Sequence, residues 1–244
     1  MNDLNFVLSV LFILVILQSI VGVGILVIGT PFLLILGFDI VATISILLPI
    51  SIATSFINLI FFKINKKKFK MKIDSSTKNL FFFVCIPSIF VGVYFLEILQ
   101  NTINFKYCVS IVIIVSIILT TIKKFILKMD NKIKNIFLST IGIIHGLTNS
   151  GGTLLSLFMT SHLGKNNSRY GITFFYFFLA LCQYLIFNYF FETRFFYIGL
   201  EMFLVLIPLG VFLGNYLIKF VDEEKFKKLI IILSFVTCIF LISK

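Results

Sequence analysis

The chain alternates long apolar runs with short polar or charged breaks. Ten apolar segments stand out, at 4–20, 24–36, 41–62, 79–96 and 107–122, then at 135–148, 153–163, 170–190, 196–218 and 229–243. These runs are too long and too uniform for the alternation of barrel strands. Lipid tolerates only segments whose backbone polar groups bond internally, so helices are predicted throughout. A helix needs about 20 apolar residues to cross a hydrocarbon core about 30 Å thick. The segments 24–36 and 153–163 fall short of that, because a helix of about 13 residues covers only about 20 Å.

Composition agrees with the pattern. The 244 residues are 59% hydrophobic and 13% charged, with a mean hydropathy of +1.12, which is the profile of an integral membrane protein. The opening "MNDLNFVLSVLFILVIL" has no basic leader and no small-residue cleavage site, and reads as a retained first helix. Cys85, Cys108, Cys182 and Cys238 are scattered singly, without metal or disulfide spacing. The net charge of +11 does not point to nucleic acid, since the lysines fall in loops between spans and report orientation.

The two halves of the chain resemble one another. "IPSIFVGVYF" (Ile86 to Phe95) matches "IPLGVFLGNYL" (Ile207 to Leu217), pairing Gly92 and Tyr94 with Gly214 and Tyr216. Phe105-Lys106 and Phe226-Lys227 each open an apolar segment, and Gly29-Thr30 matches Gly152-Thr153. The expected organisation is one membrane domain made of two repeats, 1–124 and 132–244.

Each short segment is either half of one broken helix that crosses once, giving parallel halves, or one arm of a hairpin, giving inverted halves. With "KINKKKFKMK" in the cytoplasm, the hairpin arrangement leaves only Lys106, Arg194 and Lys244 of the 21 basic residues outside. The broken-helix arrangement moves the loops at Lys165 and at Lys225 to Lys228 to the exterior. Orientation follows lysine and arginine in short loops, so inverted repeats are preferred. The fold class expected is therefore all-α: a polytopic integral membrane bundle of two inverted-topology repeats with short broken or hairpin helices.

Polar, irregular backbone at membrane depth persists only where protein buries it or where it lines a wet cavity. The first break, "QSIVGVGILVIGTP", holds Gln18, Ser19, Gly22, Gly24, Gly29, Thr30 and Pro31; the second, "HGLTNSGGT", holds His145, Thr148, Asn149, Ser150, Gly151, Gly152 and Thr153. Short helices starting near Ile25 and Thr153 would turn unpaired N–H groups and the positive end of their dipoles toward the break. Glycines admit a ligand close to the backbone, while Asn149, Ser150 and Thr153 add donors. This set suits a small oxyanion. Neither break contains Asp or Glu.

"GVGILVIGTPFLLILGFD" in the first half, "HGLTNSGGTLLSLF" in the second and an "IP…G.Y" segment after each together resemble the sulfite exporter TauE/SafE family over nearly the whole chain. The resemblance implies export or permeation of a small anion, with sulfite and organosulfur compounds as the type of substrate. One departure is that Gly22 and Gly24 are separated by Val23 where the family's familiar core has consecutive glycines.

The expected substrate contacts are Asn149, Ser150, Gly151, Gly152 and Thr153, with Gly22, Gly24, Gly29 and Thr30 as their partners across the axis relating the halves. Packing of helices by small residues competes with substrate lining at Gly22, Gly24 and Gly29. His145 is the titratable side chain of the breaks and a candidate for proton coupling; its rival role is to hold the break together by hydrogen bonds. Glu201, a few residues into the ninth segment, is a second coupling candidate. Asp39 reads as a helix N-cap. Pro49, Thr54, Ser55 and Asn58, with Gln183, Tyr184 and Asn188, are candidates for walling a cavity.

The function expected is secondary transport of a small anion by alternating access, in the cytoplasmic membrane. Its partners would be that anion, the lipid bilayer and a coupling proton or sodium ion, with monomer and homodimer both open. No P-loop is present, and no cofactor or metal is expected. A passive anion channel is the nearest alternative. An intramembrane enzyme is a weaker one, since two histidines without HExxH spacing give a catalyst little to build with.

Overall fold

The computed structural model describes residues 4–65, 75–121, 130–191 and 200–222, with single positions beyond these as far as 235. The described residues are helical. The first half runs α1 (Leu4–Val21), α2 (Ile25–Ile35), α3 (Ile40–Ile64), α4 (Ser75–Leu99) and α5 (Phe105–Thr121). The second runs α6 (Asn131–Thr148), α7 (Gly151–His162), α8 (Lys165–Phe191) and α9 (Leu200–Leu217), with a 3-10 turn at Ile218–Phe220. The tenth expected segment, 229–243, lies outside the described residues apart from isolated positions.

The expected boundaries hold to within a few residues, and the differences have local causes. Asp39 caps α3, its Oδ1 accepting from the Ala42 N–H at 2.7 Å; Asp130 likewise starts α6 earlier than expected by accepting from Ile133 N–H at 2.8 Å. In α8 the helix begins at Lys165 rather than at residue 170, so the polar stretch "KNNSR" is its first turns and not a loop. Helix α4 contains a π-turn at Phe81–Cys85, where one extra residue shifts the facing of everything after it.

Helices α3, α4 and α8 are long and apolar enough to cross a membrane. Large apolar side chains such as Phe83, Ile98, Tyr107, Ile111, Leu209 and Phe212 are exposed. Water would penalise that surface, whereas lipid does not.

Helix pairing is reciprocal between the halves. Helix α1 lies along α9, and its counterpart α6 lies along α4, the counterpart of α9. The third helices of the two halves, α3 and α8, pack on each other at the centre, and the short helices α2 and α7 touch.

The sequence repeat around "G.Y" finds its physical meaning in these pairs. On the α4–α6 seam, a Cβ on Gly92 would sit 2.2 Å from the Ile143 carbonyl oxygen, one on Gly142 2.1 Å from that of Cys85, and one on Gly146 2.4 Å from that of Ile89. On the α1–α9 seam, a Cβ on Gly214 would sit 2.5 Å from the Ser19 Cβ and one on Gly210 2.7 Å from Val15. Gly92 and Gly214 thus do the same work: they let one half's fourth helix press its backbone against the other half's first.

Candidate functional site

The two breaks are built alike. Helix α1 ends at Gly22, whose φ is 96° and whose N–H bonds the Gln18 carbonyl at 2.7 Å; α6 ends at Asn149, with φ 63° and an N–H bond to the His145 carbonyl at 2.9 Å. A left-handed residue closes each helix and turns the chain into the next. Glycine adopts this conformation freely, and asparagine is among the few other residues that tolerate it. Gln18 and His145 therefore occupy equivalent places, one turn before each break, and the short helices start at equivalent points, after Gly24 and Ser150. By this register Gly29-Thr30 lies well inside α2, so its sequence match to Gly152-Thr153 at the start of α7 is not an equivalence of position.

The first break is closed on itself. Gln18 Oε1 accepts from the Ile25 N–H (3.1 Å), the first donor of α2, and from Ser51 Oγ (3.2 Å). Its Nε2 donates to the Ser51 carbonyl and to Ser55 Oγ, both at 3.0 Å. One buried amide thus caps α2 and ties it to α3. Beside it, Asn58 Nδ2 donates to Ser19 Oγ (3.0 Å), and Asn215 Nδ2 of α9 donates to Asn58 Oδ1 (2.9 Å). Arg169 completes the group: its guanidinium, 1% exposed, donates to the Ser19 carbonyl and to Asn215 Oδ1 (2.7 Å) and lies 4.9 Å above the Phe62 ring. Arg169 therefore pins the end of α1 to α8 and α9 at a point where α1's last carbonyls lack helical partners.

The second break is not closed. Among the described residues, seven buried side-chain nitrogen or oxygen atoms lack a hydrogen-bond partner, and five of them belong to four residues here: both His145 nitrogens, Asn149 Oδ1, Tyr176 Oη and Gln183 Oε1. All four residues touch one another or a shared neighbour. Gln183 Nε2 donates to the His145 carbonyl at 3.0 Å, and the rings of His145 and Tyr176 meet edge-on at 5.8 Å between centroids. Tyr176 fills the space over Gly152, where a Cβ would come within 2.6 Å of its ring and 3.1 Å of Val27. The Tyr176 hydroxyl approaches the Leu26 N–H and the Ser51 hydroxyl without closing a bond to either. Thus the N-terminal turns of both short helices, α2 and α7, converge on one tyrosine.

The expected contacts divide accordingly. Asn149 and Thr30 come together across the halves, Asn149 Nδ2 donating to Thr30 Oγ1 at 3.3 Å. Gly152 lies at the convergence. Thr153 Oγ1 bonds the Ser150 carbonyl (2.8 Å) and Ser116 Oγ of α5 (2.9 Å), and Ser150 Oγ turns back to the Thr148 carbonyl (3.1 Å), so both hydroxyls serve the local turn. Gly151 and Gly24 are packed inside their own breaks, against His145 and Gln18. Gly29 packs against Leu47 and Leu14, and Gly22 against Ile172 and Thr173. The side chain of Glu201 lies outside those described. Of the wall candidates, Ser55, Asn58 and Gln183 do join the two polar groups, whereas Thr54 bonds its own helix at the Ile50 carbonyl (2.7 Å).

Tyr176 and Arg169 were not singled out from the sequence. Arg169 reads as part of a basic loop until α8 is seen to start at Lys165. Tyr176 is one tyrosine in "YGITFFYFF", and its only sequence signal is indirect: helix-period spacing from Gln183 and Arg169, which places all three on one face.

Two short helices meeting over buried polar groups inside a bundle of apolar helices resemble the architecture of many transporters. A family model places the chain further: residues 7–241 match that of the sulfite exporter TauE/SafE, and the chain belongs to this family, one of membrane transporters of sulfite and related anions. Neither a curated protein nor a solved structure matches it.

Proposed function

We propose that the protein is a secondary transporter of the cytoplasmic membrane that moves a small anion, sulfite or an organosulfonate, by alternating access between two inverted repeats, 1–124 and 132–244. The observation that carries this reading is the convergence on Tyr176. There the positive ends of α2 and α7 meet two donors without partners, the Tyr176 hydroxyl and one His145 N–H, with no carboxylate among the residues of either break to repel an anion. Asn149, Thr30, Gly152, His145, Tyr176 and Gln183 form the substrate site; Gly22, Gly24, Gly29, Gly151, Ser150 and Thr153 shape the breaks around it. The reciprocal helix pairs supply two arms, α1 with α9 and α4 with α6, each built from both halves, that can rock about the α3–α8 contact.

The test is flux of labelled sulfite into proteoliposomes under imposed proton or sodium gradients. Saturable flux that responds to one gradient is expected, and Asn149→Ala should raise KM about tenfold by removing the bond to Thr30 and one site group. Flux that never saturates and ignores both gradients would make the protein a channel.

A further inference from the structure

The unpaired atoms at the second break specify more than "anion". Gln183 Nε2 faces carbonyl oxygens at His145 and Gly146, so its amide cannot be turned over, and its orphaned atom, Oε1, is an acceptor. A neutral imidazole presents one donor and one acceptor whichever tautomer it adopts, so His145 contributes one of each. Tyr176 supplies a hydroxyl donor. The site therefore asks its occupant both to accept and to donate, and a fully deprotonated oxyanion only accepts.

Charge points the same way. Each helix N-terminus is equivalent to roughly half a positive charge, so α2 and α7 together offer about one. That balances a single negative charge and leaves a second one unmatched in a buried setting. Arg169 is not placed to help, since it is directed to Ser19 and Asn215 and lies two helical turns along α8 from Tyr176, roughly 10 Å.

We propose that the occupant of this site is a singly charged oxyanion that itself carries a hydrogen-bond donor, with Gln183 Oε1 and a His145 nitrogen accepting from it and Tyr176 and His145 donating to its oxygens. For sulfite this means the hydrogensulfite form; among organic substrates it means a sulfonate bearing a hydroxyl or amino group near the anionic end. The inference rests on the transport reading above and refines it.

Three tetrahedral sulfur oxyanions of similar size separate the terms: sulfamate is singly charged with N–H donors, methanesulfonate is singly charged with none, and sulfate is doubly charged with none. Each competes against labelled-sulfite flux in proteoliposomes at one fixed pH. Sulfamate should inhibit at about tenfold lower concentration than methanesulfonate, the scale of leaving buried acceptors unmet, and sulfate should be the weakest. In Gln183→Leu the preference for sulfamate over methanesulfonate should fall to about threefold or less. In Tyr176→Phe all three should weaken together with their ratio kept, because the hydroxyl serves oxygens common to all. If Gln183→Leu does not fold, the wild-type panel decides by itself. Methanesulfonate or sulfate competing as well as sulfamate overturns this inference while leaving transport intact. Absence of any saturable flux overturns the transport reading, and this inference with it.

Discussion

Gln18 and His145 hold equivalent places in the two halves, yet the structure gives them opposite energetics, and a pair of leucine substitutions separates the two. Gln18→Leu removes four hydrogen bonds, to Ile25, to the Ser51 carbonyl and hydroxyl, and to Ser55. Bonds between membrane helices average about 0.6 kcal/mol each, so their loss amounts to roughly 2.4 kcal/mol. The serine hydroxyls can turn to carbonyls of their own helix, but the Ile25 N–H has no substitute and adds about 1 kcal/mol. A destabilisation of about 3 kcal/mol follows. His145→Leu removes no hydrogen bond, since neither ring nitrogen has a partner. It also relieves the burial of an unsatisfied polar ring, which costs about 1–3 kcal/mol on mutational scales. Leucine fits imperfectly between Gly151 and Tyr176, so the expected change lies between zero and about 2 kcal/mol of stabilisation. Sulfite flux should nevertheless fall at least about tenfold. The assay is reversible unfolding in detergent micelles alongside flux in proteoliposomes. If His145→Leu destabilises as much as Gln18→Leu, the imidazole is bonded in the folded protein and the contrast between a closed and an open break is wrong.

Other expectations follow from the seams and caps. Gly92→Ala and Gly146→Ala, each forcing a methyl onto a carbonyl of the facing helix, should cost about 1–3 kcal/mol apiece in the same unfolding assay, with the double variant less than additive because both open one seam. Gly37→Ala meets nothing within 4 Å and is strained only by its φ of 90°, so about 1 kcal/mol is expected. Arg169→Lys keeps the charge but cannot reach Ser19 and Asn215 together, and should lower stability by about 1–3 kcal/mol. The Lys225 N–H bonded to its side chain, with further help from the Lys225 ammonium, holds the exposed Asp222 carboxyl below its usual value. A depressed carboxyl contributes stability above its unfolded value and loses it as pH falls through its folded one. Protection of the Lys225, Phe226 and Lys228 amides, corrected for the slower chemical exchange in acid, should therefore be lower in acid than at neutral pH, and Asp222→Asn should remove much of that difference.

What the sequence disclosed was what lipid makes conspicuous. Glycines grouped with amides and hydroxyls inside apolar runs mark the breaks, because hydrocarbon penalises such a concentration of polar groups, and Asp39 before "IVATIS" marks a cap. The likeness of the two halves was also legible, although its strongest match, around Gly92 and Gly214, turned out to record helix seams and not the site. What stayed hidden depends on tertiary direction. That Thr30 meets Asn149 requires knowing that two short helices from opposite halves converge. That Tyr176 differs from the other aromatics of α8 requires knowing which face meets the breaks. Arg169 was concealed by its neighbours: Lys165, Asn166, Asn167 and Ser168 read as a solvated loop, and only the helix beginning at Lys165 carries the guanidinium to the end of α1.

The asymmetry between the breaks bears on how two breaks of like build come to carry a single site. Two identical halves would present the same side chains twice, and an oxyanion between them would meet each set in the same way. Here the first break has its polar groups satisfied: Gln18 occupies α2's first donor, and Asn58, with Arg169 and Asn215 of the second half, locks Ser19. The second half leaves His145, Asn149, Tyr176 and Gln183 with capacity to spare. Under the transport reading the first break is then the fixed jaw, held to three neighbouring helices, and the second is the jaw that trades partners with substrate. The single Asn149–Thr30 bond, at 3.3 Å the longest of the cross-half contacts at the breaks, is the weakest of the ties between the halves there. Backbone-to-backbone seams at Gly92, Gly146 and Gly214 cannot slide without clashing, so any opening must be taken up between the arms and not within them. A cysteine pair replacing Asn149 and Thr30 tests this: once crosslinked it should abolish flux and leave the unfolding midpoint unchanged or raised, whereas undiminished flux through the crosslinked protein would show that the short helices never part.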